Sequence, residues 1–293
     1  MLVKNVFQIQ PNRITRGDLG MEFEVEGRNL PFEVAGFITT EDGSLRGESK
    51  EYVFKNPASL DRTHSRVKLL CKKLNTAGTR TAISERCGIH VHVNVQELEI
   101  KQLWNFVTLY YMYEELLVRY CGPQREGSLF CLRAKDTDWI INYVVEVLQQ
   151  NPMRLARAFN TDMLRYSALN FKALTQYGSL EFRSMRGSAD YEEIAPWFSI
   201  LYRLREEAKK FDNPLQILEV FNQVGELSFT QRIFGDYYQT FTEGVDYETM
   251  LEESIENVED IAYAIEWGEY GKPSINPFEQ AFDQPMRAGV VFE

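Results

Sequence analysis

Three short stretches of the sequence carry donor and charge chemistry at alternate positions: Gly20 to Gly27 (GMEFEVEG), Gly88 to Gln96 (GIHVHVNVQ) and Gly178 to Met185 (GSLEFRSM). In a β-strand, residues two apart share a face. The first stretch therefore sets Glu22, Glu24 and Glu26 against Met21, Phe23 and Val25. The second sets His90, His92 and Asn94 against Ile89, Val91, Val93 and Val95, and the third sets Glu181 and Arg183 against Leu180 and Phe182. Carboxylates and imidazoles are the oxygen and nitrogen donors that divalent cations take. Carboxylates two residues apart also repel one another unless a positive charge lies between them, and a bound cation supplies one. Any one of these strands alone reads as an ordinary half-buried strand with a solvated outer face. The recurrence of the same chemistry on three polar faces is what points to a metal site.

Between the first two stretches runs TEDGSLRGESKEYVFKNP, in which Asp42, Gly43 and Ser44 form a turn that leads to a strand over Glu51 to Phe54. Glu48 and Glu51 are three apart, so only one of them points into a common site. Glu51 is preferred because it belongs to the regular strand. Cys87 precedes the histidine strand, but residues three apart face opposite sides, which argues against a Cys87–His90 nucleophile. No GxSxG elbow, Walker A loop or HExxH helix is present.

The elements that must hold these faces follow from periodicity and breakers. Helices are expected over Leu60 to Ala77, Ile100 to Cys121 before Gly122-Pro123, Asp138 to Gln150 before Asn151-Pro152, and Asp190 to Phe211 before Asn213-Pro214. Strands that are not evenly interleaved with crossover helices suggest an α+β fold with an antiparallel or mixed sheet. Beyond Pro214 the sequence reads as acidic helices, Pro214 to Glu226 and Tyr247 to Glu266, followed by a Gly/Pro/Asn-containing tail. The expected organisation is a catalytic domain over 1–211 and an acidic, mainly helical subdomain over 212–293.

The net charge of −11 is uneven, because residues 233 to 271 hold eleven Asp or Glu and no Lys or Arg. General nucleic-acid binding needs a basic surface, which this balance denies. Within Arg154 to Arg186, six basic residues face only Asp162 and Glu181, which suits a local anion site for a nucleoside triphosphate. The start shows no signal-peptide pattern, and no apolar run approaches the ~18 residues of a membrane span. A soluble cytoplasmic protein is expected, its four cysteines reduced and buried for want of CxxC spacing or a disulfide framework.

In order along the chain, GMEFEVE, DGSL with KEYVF and a proline, CGIHVHVN, RYSALN and YGSLEFRSMRGS resemble the amidoligase branch of the glutamine synthetase and glutamate-cysteine ligase superfamily. The resemblance implies a curved, mainly antiparallel sheet of glutamine synthetase-like type with helices on its convex side. Its concave face would hold Mg²⁺ or Mn²⁺ between ATP and an acidic substrate. Carried over, Glu22, His90 and Glu181 would hold the ion nearer the ATP phosphates, and Glu24, Glu51 and Asp42 the ion nearer the acid. His92 would approach ATP, Arg183 would contact the transferring phosphoryl group, and Arg165 and Asn170 would bind nucleotide or substrate. Glu26 is expected beyond the cluster, in solvent.

The activity so implied is ATP-dependent joining of a carboxylate to an amine through an acyl phosphate, with Arg183 and Asp42 as catalytic residues and Asp42 as the base or ammonium-binding group. Small or peptide-like acids and amines would be the substrates, and homo-oligomers are compatible with the family. Two other readings use the same residues. One is a phosphotransferase that stops after phosphorylation; the other is a non-catalytic binding or assembly protein that keeps the fold.

Overall fold

The structure, a computed structural model, describes residues 1–41, 43–129 and 131–272. Among these residues, seven strands form one open antiparallel sheet: β1 (Leu19–Arg28), β2 (Phe37–Thr40), β3 (Ser49–Phe54), β4 (Arg80–Ala82), β5 (Gly88–Asn94), β6 (Leu169–Asn170) and β7 (Ser179–Arg186). Their order is β2-β3-β1-β5-β7-β6, with β4 paired to the far end of β1. The three stretches singled out by alternation are thus the adjacent central strands β1, β5 and β7. Register completes their alignment: Glu22 lies opposite His90, Glu24 opposite Glu51, His92 opposite Glu181, and Asn170 opposite Glu181. Directly opposed residues share a face, so one side of the sheet gathers every polar row.

The helices are α1 (Val3–Val6), α2 (Leu60–Leu74), α3 (Ile100–Tyr120), α4 (Trp139–Leu148), α5 (Leu155–Ala158), α6 (Lys172–Tyr177), α7 (Tyr191–Ala208), α8 (Pro214–Val224), α9 (Glu226–Phe234), α10 (Tyr238–Thr242) and α11 (Tyr247–Ala262). The apolar face of the sheet packs on α3, where Phe182 meets Phe106 and Tyr110 with ring centroids 5.5 and 5.0 Å apart. Helix α3 also meets the C-terminal segment, through Tyr113 and Thr230 of α9 (3.1 Å) and, on the flank away from Phe106, through Trp104 and Tyr270 beyond α11 (3.0 Å). A helix covered on both flanks has no need of a polar face, and seventeen of the residues of α3 are buried. At its start Gln102 accepts the Glu99 N–H at 2.9 Å, which satisfies one of the donors a helix end leaves free.

The mixed α and β composition and the antiparallel sheet are as expected, while several boundaries differ. The helix expected to run to Glu226 stops at Val224, because Gly225 at φ +79 turns the chain into α9. The last acidic helix ends at Ala262, four residues early. Strands β2, β4 and β6 gave no sequence signal; they span two to four residues, too short for alternation to show. Among the described residues, no helix is long and apolar enough to cross a membrane.

One irregularity shapes the polar face. Ile89 pairs with Met185 but Val91 with Phe182, so β7 carries one residue more than β5 over this step, a β-bulge. Plain alternation would set Met185 beside Glu181 and Arg183. The bulge returns it to the core, fully buried, while Arg183 keeps the polar side.

Candidate active site

The middle of the polar face is a cluster of two carboxylates and two imidazoles. Glu22 of β1 reaches both histidines of β5: its Oε2 is 3.3 Å from His90 Nδ1 and its Oε1 is 3.3 Å from His92 Nε2. Glu181 of β7 approaches His90 Nδ1 at 3.6 Å. Glu181 is itself held by donors on both oxygens, Arg183 Nη1 at 2.5 Å on Oε1 and Asn170 Nδ2 at 2.6 Å on Oε2. Asn170, expected at the nucleotide or substrate, thus spends its amide on orienting Glu181.

Charge is balanced within the cluster. Burial works to raise the Glu22 carboxyl, but its contacts with His90 and His92 outweigh that and hold it well below the usual carboxylate range. Burial likewise opposes ionisation of Glu181, and attraction to His92, Arg183 and His90 prevails, so its carboxyl is also lowered. For His92, burial disfavours the imidazolium, but Glu22 and Glu181 more than offset it and raise the imidazole above its ordinary value. Two carboxylates therefore stay ionised and draw positive charge between them.

The residues fit a divalent cation. Glu22, His92 and Glu181 each offer one ligand atom, and these atoms lie within 4.8 Å of one another. His92 Nε2 is buried, makes no hydrogen bond of good geometry and lies 3.3 Å from Glu22 Oε1, so a cation could take the place of the proton that the two carboxylates otherwise favour on this ring. Its other nitrogen, Nδ1, is 3.3 Å from the Ser179 hydroxyl. Ser179 shares the parity of Glu181 and Arg183, so the same alternation that exposed those two also marks it. In this geometry His92 completes the group with Glu22 and Glu181, whereas the resemblance implies His90 for that role. His90 also approaches both carboxylates and extends toward Glu24: a Cβ built on Gly88 would lie 3.3 Å from His90 Nε2 and 3.1 Å from Glu24 Oε2.

On the β3 side, Glu24 accepts the Gly88 N–H at 2.8 Å and stands opposite Glu51, whose Oε2 accepts from Thr40 Oγ1 at 2.9 Å. Glu48 precedes β3 and is exposed, and its carbonyl accepts the Gly27 N–H. Of the two glutamates, Glu51 therefore shares the face of Glu24. Glu26, expected in solvent, is buried and accepts the Arg46 N–H at 2.7 Å, tying down the loop before β3. Arg165 lies exposed on a turn with its guanidinium 5.7 Å from the Tyr166 ring, and among the described residues no hydrogen bond or ion pair joins it to the cluster. Asp42 lies outside the described residues. The Cys87 thiol is buried and its pKa raised, and all four cysteines are buried and unpaired.

Beside Glu22 and His92 opens a cleft of about 480 Å³. Ile14, Ile38 and Tyr177 give it apolar walls, and Asn94 and Arg13 supply polar groups, with the Arg13 guanidinium 5.0 Å from the Tyr177 ring.

Residues 56–204 match the family model described as "Putative amidoligase enzyme". The match covers about half of the chain, including β5, β6 and β7 with His90, His92, Asn170, Glu181 and Arg183. The chain belongs to this amidoligase family. Membership suggests a ligase activity, and with it small-molecule substrates. The glutamates of β1 and β3 precede the matched region and join it through strand register. A comparison with curated proteins gave no match.

Proposed function

We propose that this amidoligase joins a carboxylate to an amine at the expense of ATP, through an acyl phosphate. The observation that carries the reading is the convergence of Glu22, His92 and Glu181 within 4.8 Å, with Arg183 on Glu181 and an open cleft alongside. Glu22, His92 and Glu181 would hold Mg²⁺ or Mn²⁺ on the nucleotide side, with His90 between them and Glu24, and Glu24 with Glu51 would hold a second ion on the acid side. Such ions, when bound, neutralise phosphate charge and align the reacting oxygens.

The chain's own residues supply the rest. The cleft walled by Ile14, Ile38 and Tyr177 suits a nucleoside, which would direct its phosphates toward Glu22 and His92. Amide formation is uphill in water, so the carboxylate oxygen must first become a leaving group, and phosphorylation does this. Arg183, held on Glu181, carries the charge that stabilises the phosphoryl group in transit. Glu181 and Asn170 keep that guanidinium from wandering, which limits the reorganisation required at the moment of transfer.

The test uses an acid labelled with ¹⁸O in its carboxylate, incubated with ATP, Mg²⁺ and amines. Transfer of ¹⁸O into inorganic phosphate together with an amide product is expected. An amide formed with unlabelled phosphate overturns the acyl phosphate, and a stable phosphorylated product without any amide makes the protein a phosphotransferase.

A further inference from the structure

A second guanidinium, this one buried, stands on the polar face at the β7 bulge, and the ligand chemistry above makes no use of it. Arg125 follows α3 on a short 3-10 turn and is 3% exposed. Its Nη2 donates to two main-chain carbonyls, Cys87 O just before β5 at 3.0 Å and Met185 O of β7 at 2.8 Å. Met185 is the first ladder partner beyond the bulge. One planar group thus ties β5 to β7 where the regular ladder is interrupted. The amide of Arg183, inside the bulge, is held from the other side by Ala168 O at 2.9 Å.

The placement is close to the cluster. A Cβ built on Gly88 would lie 2.8 Å from Arg125 Nη2, 3.1 Å from Glu24 Oε2 and 3.3 Å from His90 Nε2, so these three groups converge over one glycine. Arg125 Nε is buried and, among the described residues, has no hydrogen-bond partner. An unpaired buried donor is costly, and so is a buried cation, so the position is retained against a penalty.

We infer that Arg125 is a positioning residue of the site: by bridging Cys87 O and Met185 O it sets the bulge that aims Glu181 at Glu22 and His92. The inference rests on the proposed ion site. Charge and geometry here act with opposite sign. Removing a nearby positive charge would by itself tighten cation binding. Removing the bridge lets β7 slacken and moves Glu181 away from its partners. A loss of ion affinity on substitution therefore isolates the geometric role.

The test is a Mn²⁺ titration followed by electron paramagnetic resonance, on wild type, Arg125→Met, Arg125→Lys and Arg125→Ala, with circular dichroism as a check on folding. Arg125→Met is expected to bind Mn²⁺ about tenfold more weakly or worse, in the range found when groups supporting a metal ligand are removed. Arg125→Lys keeps the charge, but its ammonium reaches less far than Nη2 and its donors are not held in a plane, so it is expected to be weakened as well. Guanidinium ion added to Arg125→Ala is expected to restore binding. Should Arg125→Met fail to fold, Arg125→Lys carries the comparison. Unchanged or tighter Mn²⁺ binding in the folded variants, or no rescue, overturns the inference and leaves the ligase reading standing. A wild-type protein that takes no Mn²⁺ removes both.

Discussion

His92 Nε2 lies 3.3 Å from Glu22 Oε1, buried and without a hydrogen bond of good geometry, while Nδ1 of the same ring faces the Ser179 hydroxyl at 3.3 Å. The two nitrogens of one imidazole thus meet different groups, a carboxylate at Nε2 and a hydroxyl at Nδ1, and Ser179 is placed to orient the ring so that Nε2 faces the carboxylates. Ser179→Ala is expected to leave the fold intact and to weaken Mn²⁺ binding by about 10–100-fold, as for other groups that orient a metal-ligating histidine. Ser179→Thr, which keeps the hydroxyl, should retain most of the affinity. Calorimetric Mn²⁺ titration of the two variants checks this, and equal affinities would count against the assignment.

Gly88 is required by crowding. A methyl group there would lie 2.8 Å from an Arg125 Nη2 that two carbonyls anchor, and close to Glu24 and His90 as well. Gly88→Ala is expected to cost about 1–3 kcal/mol of stability, the usual penalty for an extra carbon in a packed site. It should depress ligase turnover beyond what that loss explains, because Glu24, His90 and Arg125 shift together. Denaturant unfolding alongside an ADP-release assay separates the two effects.

The two candidate glutamates of the β2–β3 hairpin are predicted to separate cleanly. Glu51 faces the site opposite Glu24, whereas Glu48 is exposed ahead of the strand. Glu51→Gln should lower activity and the Mg²⁺ dependence of the rate should move to higher concentration, while Glu48→Gln should behave as wild type. Steady-state rates across a Mg²⁺ series decide between them.

Stability should depend on Glu114, a buried residue of α3. Burial is the main cause that pushes its carboxyl up to about 8; the Ala134 N–H at 2.7 Å works against the shift, and neighbouring Glu115 adds to it. The unfolded chain binds its proton only below the ordinary glutamate range, near 4.5. Between that value and about 8, the folded protein therefore retains a proton that the unfolded chain releases. Stability from this group is greatest below the lower value and falls as pH rises toward the upper one. Glu114→Gln should flatten that fall, because a neutral amide does not titrate. Urea unfolding at pH 5 and pH 8 reads the difference, and parallel pH profiles for the two proteins would refute it.

Much of the candidate site was legible in the sequence, for a simple physical reason. A strand with one buried face must alternate, so Glu22, Glu24, His90, His92, Glu181 and Arg183 were assigned to polar faces before any strand was paired. Ser179 had the same parity, but a lone hydroxyl carries neither charge nor the ligand chemistry of a carboxylate or imidazole, so alternation alone did not single it out. Glu26 was misjudged because alternation reports the face of a residue and not whether a loop covers that face.

Arg125 had no sequence signal at all. It lies in a loop with no periodicity, and its importance comes from two carbonyls 38 and 60 residues distant along the chain, one just before β5 and one on β7. The polar rows and the chemistry they can support were determined by the sequence itself, since a regular extended strand alternates its side chains wherever in the sheet it lies. Only the tertiary structure decided that β1, β5 and β7 are neighbours, and in which register. It also placed the bulge that keeps Arg183 beside Glu181 and sends Met185 to the core, because pairing, bulges and loop closure depend on contacts that no local pattern encodes.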